Sequence, residues 1–326
     1  MPVTVDPTII VTRRWPTSVE EKLRATYRDV VLSELDEPLD EEELRAALAA
    51  ADVLLPCVAD RLTAEMLLAP EVRTRFIGNF GVGFSNIDTD AAREAGIVVT
   101  NTPGVLTDAT ADLAMTLLLM TARRAGEGER HLRERAWTGW RPTHMMGGDV
   151  TGRTLGILGM GRIGRALARR AHVGFDMTVV WYDSHPGEID TGLPAARRAL
   201  SVDEVLAEAD FVSLHMPGGE DNNHLIGAAQ LSLMKPTAYL INTARGDVVD
   251  EVALAAALRD GSIAGAGLDV FEHEPDVLEG LRSLENAVLL PHLGSATLGA
   301  RTAMGELVLQ NLATYLAGDE PPCRVA

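Results

Sequence analysis

Short apolar, β-branched runs alternate with amphipathic stretches along nearly all of the chain, the pattern of βαβ units built on parallel sheets. A first series of runs lies at residues 8–12, 53–58, 75–77 and 97–100, with helical spacing such as residues 41–51 between them. It stops near Asn101-Thr102-Pro103-Gly104. A second series lies at 154–158, 178–182, 211–215, 239–242, 265–270 and 288–290. Six runs separated by helices match the strand count of a dinucleotide-binding sheet. Residues 107–122 are apolar on nearly every face, with Asp108 and Asp112 as the only charges, which predicts a helix buried all round. Such a helix suits an interdomain seam or a subunit interface; the polar segment 123–148, with Trp137 and Trp140, then forms an arm beside it, and a dimer is expected in the second case. Residues 295–316 are spaced as a helix long enough to return to the first series. The predicted architecture is therefore α/β with two doubly wound parallel-sheet domains, Rossmann-like and flavodoxin-like. The dinucleotide-binding domain spans 104–294, and the substrate domain is discontinuous, 1–103 with 295–326.

Composition narrows the function classes. With 326 residues, 46% hydrophobic and 23% charged, the chain is an ordinary two-domain globular protein, and no run is long enough to span a bilayer. The start of the chain carries no signal-peptide pattern, so a cytoplasmic location is expected. Acidic residues outnumber basic ones 47 to 29, giving a net charge of -18, which repels a nucleic-acid backbone. Cys57 and Cys323, the only cysteines, are expected as reduced thiols, and no zinc site is built from them.

Two constellations carry chemistry. Gly159-Met160-Gly161-Arg162-Ile163-Gly164 fits G-x-G-x-x-G. Chance supplies about 0.25 such matches at this glycine content, so the context decides. Here the loop follows a predicted strand and opens a predicted helix, which aims backbone amides at a pyrophosphate. The next strand ends at Asp183, 19 residues after the last glycine, where a carboxylate accepts from the adenosine ribose hydroxyls. No Arg or Lys lies between Asp183 and Arg197 to hold a 2′-phosphate, so NAD is favoured over NADP, with His185 the one nearby residue that softens this. The second constellation stands where later strands end: Arg245, suited to clamp a carboxylate, His292, the best placed of the eight histidines to act as an acid, and a glutamate. Reducing a ketone by hydride leaves charge on oxygen, and a carboxylate beside the imidazole keeps a proton available for it. Glu274 and Glu272 both fit that role by spacing, and His273 competes nearby.

The segments 81–88, 101–114, 155–170, 240–251, 264–275 and 289–297 together resemble the D-isomer-specific 2-hydroxyacid dehydrogenase family. Within it, the wording of 105–114, of the arm at 137–142 and of 291–297 is most similar to glyoxylate and hydroxypyruvate reductases. The resemblance implies that Arg245 binds the substrate, that His292 donates the proton and that Glu274 is its partner. It places Gly159, Gly161, Arg162, Ile163, Gly164 and Asp183, with Thr243, Ala244, Asp269 and Gly294, on the cofactor. It gives Val82 and Gly83 to the substrate carboxylate and sends Trp140 toward a neighbouring subunit's site. Asp183 departs from the many reductases of this subgroup that carry Arg and Ser there and use NADPH. Short D-3-phosphoglycerate and D-lactate-type dehydrogenases remain as alternatives, as does a non-catalytic NADH-sensing protein like certain corepressors. A hydride acceptor other than a carboxylic acid is a further rival.

Overall fold

The computed structural model describes residues 6–34, 36–185, 187, 189–193 and 195–326. The chain divides into two compact units, one of residues 1–106 with 296–326 and one of residues 107–295.

In the first unit five strands, β1 (Ile9–Val11), β2 (Val30–Leu32), β3 (Val53–Leu55), β4 (Phe76–Gly78) and β5 (Val98–Thr100), pair in the order β2-β1-β3-β4-β5. Every pairing is parallel. The connections are α1 (Thr17–Thr26), α2 (Glu41–Ala50), α3 (Ala64–Leu67) and α4 (Thr89–Glu94). Alternation along β3 sends Leu54 to one face, with Leu48, Leu67 and Ile77, and Val53 and Leu55 to the other, with Val19 and Leu23. Both faces are covered, as an all-parallel sheet requires. α2 starts where Asp40 and Glu43 form a reciprocal capping box, each side chain accepting from the other's N–H at 2.8 and 2.9 Å.

The second unit has seven parallel strands, β6 (Thr154–Leu158), β7 (Thr178–Tyr182), β8 (Arg197–Arg198), β9 (Phe211–Leu214), β10 (Tyr239–Asn242), β11 (Gly265–Leu268) and β12 (Ala287–Leu289). Their order is β12-β11-β10-β9-β6-β7-β8. The chain reverses direction across the sheet between β6 and β9, which opens the crevice where such sheets bind ligands. Its helices are α5 (Thr107–Ala122), α6 (Ala125–Arg133), α7 (Arg162–Phe175), α8 (Val202–Glu208), α9 (Ala228–Leu233), α10 (Glu251–Arg259) and α11 (Glu279–Arg282). Leu155 and Ile157 of β6 bury against Leu117, Leu118 and Leu167, while Val212 and Leu240 bury against Val205 and Leu254 on the opposite face. The chain then returns to the first unit with α12 (Leu298–Leu316), whose Val308 and Leu312 fill the layer that holds Val19.

The structure departs from the sequence expectations in three places. β2 and β8 lie outside the expected runs: β2 is a three-residue apolar edge strand, Val30–Leu32, and β8 is two exposed arginines, and edge strands need only one partner and little burial. Helix α5 is not buried all round, since Asp108, Asp112 and Thr116 form an exposed line at four-residue spacing. Arg170 of α7 bonds both aspartates there. Residues 295–297 do not belong to α12, because Thr297 is extended and its hydroxyl caps the Ala300 N–H. The arm opens with helix α6. Among the described residues no helix is long and apolar enough to cross a membrane.

Candidate active site

The glycine turn joins β6 to α7, and each glycine there has its own steric reason. Gly159 sits at φ +92°, and a Cβ on it would lie 2.8 Å from the His215 carbonyl carbon. A Cβ on Gly164 would lie 2.3 Å from the Gly159 oxygen, so this glycine lets the helix close onto the strand. Gly161, the N-cap, borders open space, and no side chain caps the helix. The N–H groups of Arg162 and Ile163 find no acceptor among the described residues. Such a helix start, with free donors and an open cradle, fits a pyrophosphate. Asp183 stands at the end of β7, its side chain only 13% exposed. One carboxylate oxygen accepts from Met160 N–H at 2.9 Å and the other from His185 N–H at 3.0 Å, which ties the acid to the glycine turn.

Arg198 was missed by reading along the sequence, because β8 brings it beside β7 only in three dimensions. Its guanidinium donates to the carbonyls of Asp183, His185 and Gly187 and lies 5.2 Å above the Trp181 ring. The segment that carries the acid is therefore fastened by a cation whose donors face backbone carbonyls.

Arg245, Glu274 and His292 all lie beyond carboxyl ends of strands in the second unit, after β10, β11 and β12. His292 Nδ1 lies 2.8 Å from Glu274 Oε2. Phe271 N–H donates to Glu274 Oε1 at 3.1 Å, across a turn that ends in a cis Glu274–Pro275 bond. Burial alone would push the Glu274 carboxyl up; the His292 bond and charge, the Phe271 N–H and the Arg245 guanidinium together hold it below the ordinary value. Burial pulls the Arg245 guanidinium down, opposed by the charges of Glu274 and Asp247. Glu272 does not compete for His292: its carboxylate pairs with His224 at 2.7 Å, and that bond raises the His224 pKa. The two glutamates, indistinguishable by spacing, thus serve two different histidines.

His292 has φ +53°, a left-handed conformation that costs a non-glycine residue energy and needs outside support. Asp269 supplies it. Its backbone oxygen accepts from His292 N–H at 2.8 Å, and its two carboxylate oxygens accept from Leu293 and Gly294 N–H at 2.6 and 2.7 Å. Asp269 is 1% exposed and burial raises its pKa, so those two amides are what make an anion tolerable there. A similar device shapes the turn before Arg245. Asn242 accepts from Ala244 N–H at 3.0 Å and donates to the Arg245 carbonyl at 2.8 Å. Sequence reasoning assigned nothing to this asparagine, although an Asn just before a turn is itself a signal. Thr243 Oγ1 is buried and has no partner among the described residues, an orphaned hydroxyl beside the turn that suits a bound cofactor's polar edge.

Val82 and Gly83 lie in the first unit, in the loop between β4 and α4. Trp140 lies in the arm at 82% exposure, with no hydrogen bond or ring contact to any described residue.

Residues 115–294 match the NAD binding domain of the D-isomer specific 2-hydroxyacid dehydrogenases. A glyoxylate reductase from Thermococcus onnurineus is 44% identical over 323 residues, 98% of this chain and 96% of the relative. Another, from Thermococcus gammatolerans, is 45% identical over 325 residues, with 98% and 96% covered. Among solved structures, the NADPH-dependent glyoxylate/hydroxypyruvate reductase from Sinorhizobium meliloti, in complex with NADP and malonate, is similar with a TM-score of 0.86. It is 35% identical, over 98% of this chain and 97% of that one. A likeness this long, joined to a glycine turn fit for a dinucleotide, means that the chain belongs to the D-isomer specific 2-hydroxyacid dehydrogenases, oxidoreductases that use a nicotinamide cofactor.

Proposed function

We propose that the chain reduces a small 2-oxo acid, glyoxylate or hydroxypyruvate, with NADH, acting as a glyoxylate/hydroxypyruvate reductase. The observation that carries this reading is the 2.8 Å pairing of His292 Nδ1 with Glu274 beyond the strand ends that also present Arg245. When bound, the cofactor supplies a hydride to C2 of the oxo acid. Arg245 holds the substrate and polarises its carbonyl with a fixed, bidentate cation. Protonated His292 keeps its Nδ1–H on Glu274, so the proton that leaves is the one on Nε2, which passes to the new alkoxide oxygen. The neutral imidazole that remains is the Nδ1–H tautomer, the one the Glu274 bond favours.

Thr243, Ala244 and Gly294 are assigned to the cofactor beside the glycine turn, and Asp269 acts there through the turn it supports. Asp183 favours NADH, since its charge repels a 2′-phosphate; Arg198, which holds its segment, is engaged by three carbonyls, and the exposed His185 ring lies 3.1 Å from Asp183 Oδ1. Residues 104–294 are assigned to the dinucleotide, and 1–103 with 295–326 to the substrate, whose carboxylate is given to Val82 and Gly83. The arm with its exposed Trp140 is assigned to a homodimer, and the enzyme is assigned to the cytoplasm, with a net charge of -18 that favours solubility.

Initial rates of NADH and NADPH oxidation against glyoxylate, hydroxypyruvate, pyruvate and phosphohydroxypyruvate test the proposal. The expected result is fastest turnover with NADH and one of the first two acids. Fastest turnover with phosphohydroxypyruvate or pyruvate, or with NADPH, would overturn the corresponding half of the assignment.

A further inference from the structure

The loop after β4 has its carbonyls held one after another. Gly81 O accepts from Thr102 N–H at 3.0 Å, Val82 O from Asn101 Nδ2 at 2.8 Å, Gly83 O from Asn79 Nδ2 at 2.9 Å, and Phe84 O from Ile87 N–H at 3.0 Å. Four successive carbonyls are thus bonded to the protein. In a planar trans peptide the C=O of one residue and the N–H of the next point in opposite directions. Holding the Gly81, Val82 and Gly83 oxygens therefore turns the N–H groups of Val82, Gly83 and Phe84 the other way. None of those three amides has an acceptor among the described residues. A run of outward N–H groups is a concavity for an anion.

The donors that impose this arrangement are buried and are held in turn. Asn79 is 0% exposed and Asn101 is 7% exposed. Asn79 Oδ1 accepts from Asn86 Nδ2 at 3.3 Å, and its backbone N–H donates to Thr100 O. The Asn101 carbonyl accepts from Asn311 Nδ2 at 3.3 Å, and the Asn101 N–H donates to Cys323 O at 3.1 Å. A Cβ on Gly81 would lie 2.2 Å from Val58, so the loop lies flush against its support and has no room to turn over. All of these are neutral amides. A lysine or arginine could hold the same carbonyls but would bring a charge to the loop, whereas a primary amide spends its N–H on the loop's carbonyl and brings none.

We infer that Asn79 and Asn101 are positioning residues for the substrate carboxylate, aiming the Gly83 and Phe84 amides outward by holding the preceding carbonyls. Asn101 sets Gly83 N–H and Asn79 sets Phe84 N–H, which adds Phe84 to the carboxylate-binding amides. The inference rests on the proposal that this loop receives the carboxylate.

Two measurements separate that proposal from the inference. In the NADH-loaded enzyme labelled with 15N-valine, 15N-glycine and 15N-phenylalanine, titration with oxamate, an unreactive analogue of a 2-oxo acid, is expected to shift the Val82, Gly83 and Phe84 amide resonances. If none of the three moves, the carboxylate does not bind here and the reading beneath the inference fails. In steady-state kinetics, Asn101→Ala and Asn79→Ala are expected to raise KM for glyoxylate about 10- to 100-fold, the scale of misdirected hydrogen bonds to a charged group. Neither variant should change kcat or KM for NADH by more than about threefold, the split expected for uniform substrate binding. If either variant does not fold, the isosteric Asn101→Asp and Asn79→Asp replace it and should raise the same KM, since a carboxylate cannot donate to the loop carbonyl. Unshifted KM in folded variants, with the wild-type resonances moving, would overturn the inference alone. A rise in KM for NADH equal to that for glyoxylate would overturn it too, because it would mean general disruption.

Discussion

The carboxyl ends of the two sheets solve one problem, presenting polar groups to a ligand, with different materials. In the first unit the loop at 81–84 offers backbone amides, and the side chains that fix it, Asn79 and Asn101, are neutral. In the second unit the groups proposed for the ligand are ionisable side chains, Arg245 and His292, and carboxylates fix the histidine: Glu274 on its ring and Asp269 on its turn. The difference follows from what each end must do. An anion that is only held is well served by fixed dipoles, whereas a group that gives up a proton needs a partner whose charge sets when it does so. The largest effect should therefore come from the second unit. His292→Ala is expected to lower kcat about 100- to 10,000-fold, the usual contribution of a proton donor, while NADH binding followed by fluorescence stays within twofold. Loss of NADH binding in that variant would show that His292 serves the cofactor and would erase the contrast with the amide loop.

Glu274→Gln sharpens the contrast by keeping shape and removing charge. The neutral amide keeps a polar contact with the ring but takes away the carboxylate that holds the His292 Nδ1–H. A loss of roughly tenfold in kcat/KM for reduction at neutral pH is expected in steady-state kinetics. Stability carries a pH signature of its own. A depressed folded-state value contributes stability above the ordinary carboxylate pKa, lost as pH falls through the depressed value, so a thermal-unfolding series in acid should show a steeper decline for wild type than for Glu274→Gln. Parallel curves would mean that the pair does not couple. Asp269→Asn comes next in size. The amide side chain keeps one acceptor for two donors, Leu293 and Gly294 N–H, at a position 1% exposed. A loss of about 1–3 kcal/mol in denaturant unfolding is expected, with kcat reduced as the left-handed His292 turn loosens.

Much of this division was legible in the chain. Alternating runs gave two parallel sheets, and the segments flanking Gly159, Arg245, Glu274 and His292 fell at strand ends because strand, turn and helix signals agree there. What escaped did so for separate physical reasons. β2 and β8 are edge strands, held by a single neighbour: β2 is apolar but three residues short and only partly buried, and β8 is two arginines with no apolar run. The choice between Glu272 and Glu274 was open because two residues of spacing do not say which carboxylate a turn points at a ring, and the cis bond before Pro275 lies in that turn. Asn79, Asn101 and Asn242 stayed silent for another reason. A neutral amide has no pattern in a sequence until the carbonyl it holds is known, and two of those carbonyls lie 4 and 19 residues away.

The smallest effect is expected at Arg198, where the materials of the comparison are reversed: a charged side chain fixes a backbone segment by its carbonyls. Its donors reach the oxygens of Asp183, His185 and Gly187, and its plane rests near Trp181. Much of the residue is exposed, so the ties are worth little in solvent, and Arg198→Ala should raise KM for NADH only about threefold with kcat unchanged. The informative quantity is the ratio between cofactors. If Arg198 only fastens the segment that carries Asp183, KM for NADPH rises by the same factor and the proposed preference for NADH is left as it was. If the guanidinium also attracts a 2′-phosphate, NADPH loses more than NADH, and the ratio of kcat/KM values widens beyond its wild-type value. Equal losses are the expected outcome, because a guanidinium already engaged by three carbonyls must give up those bonds before it serves a phosphate.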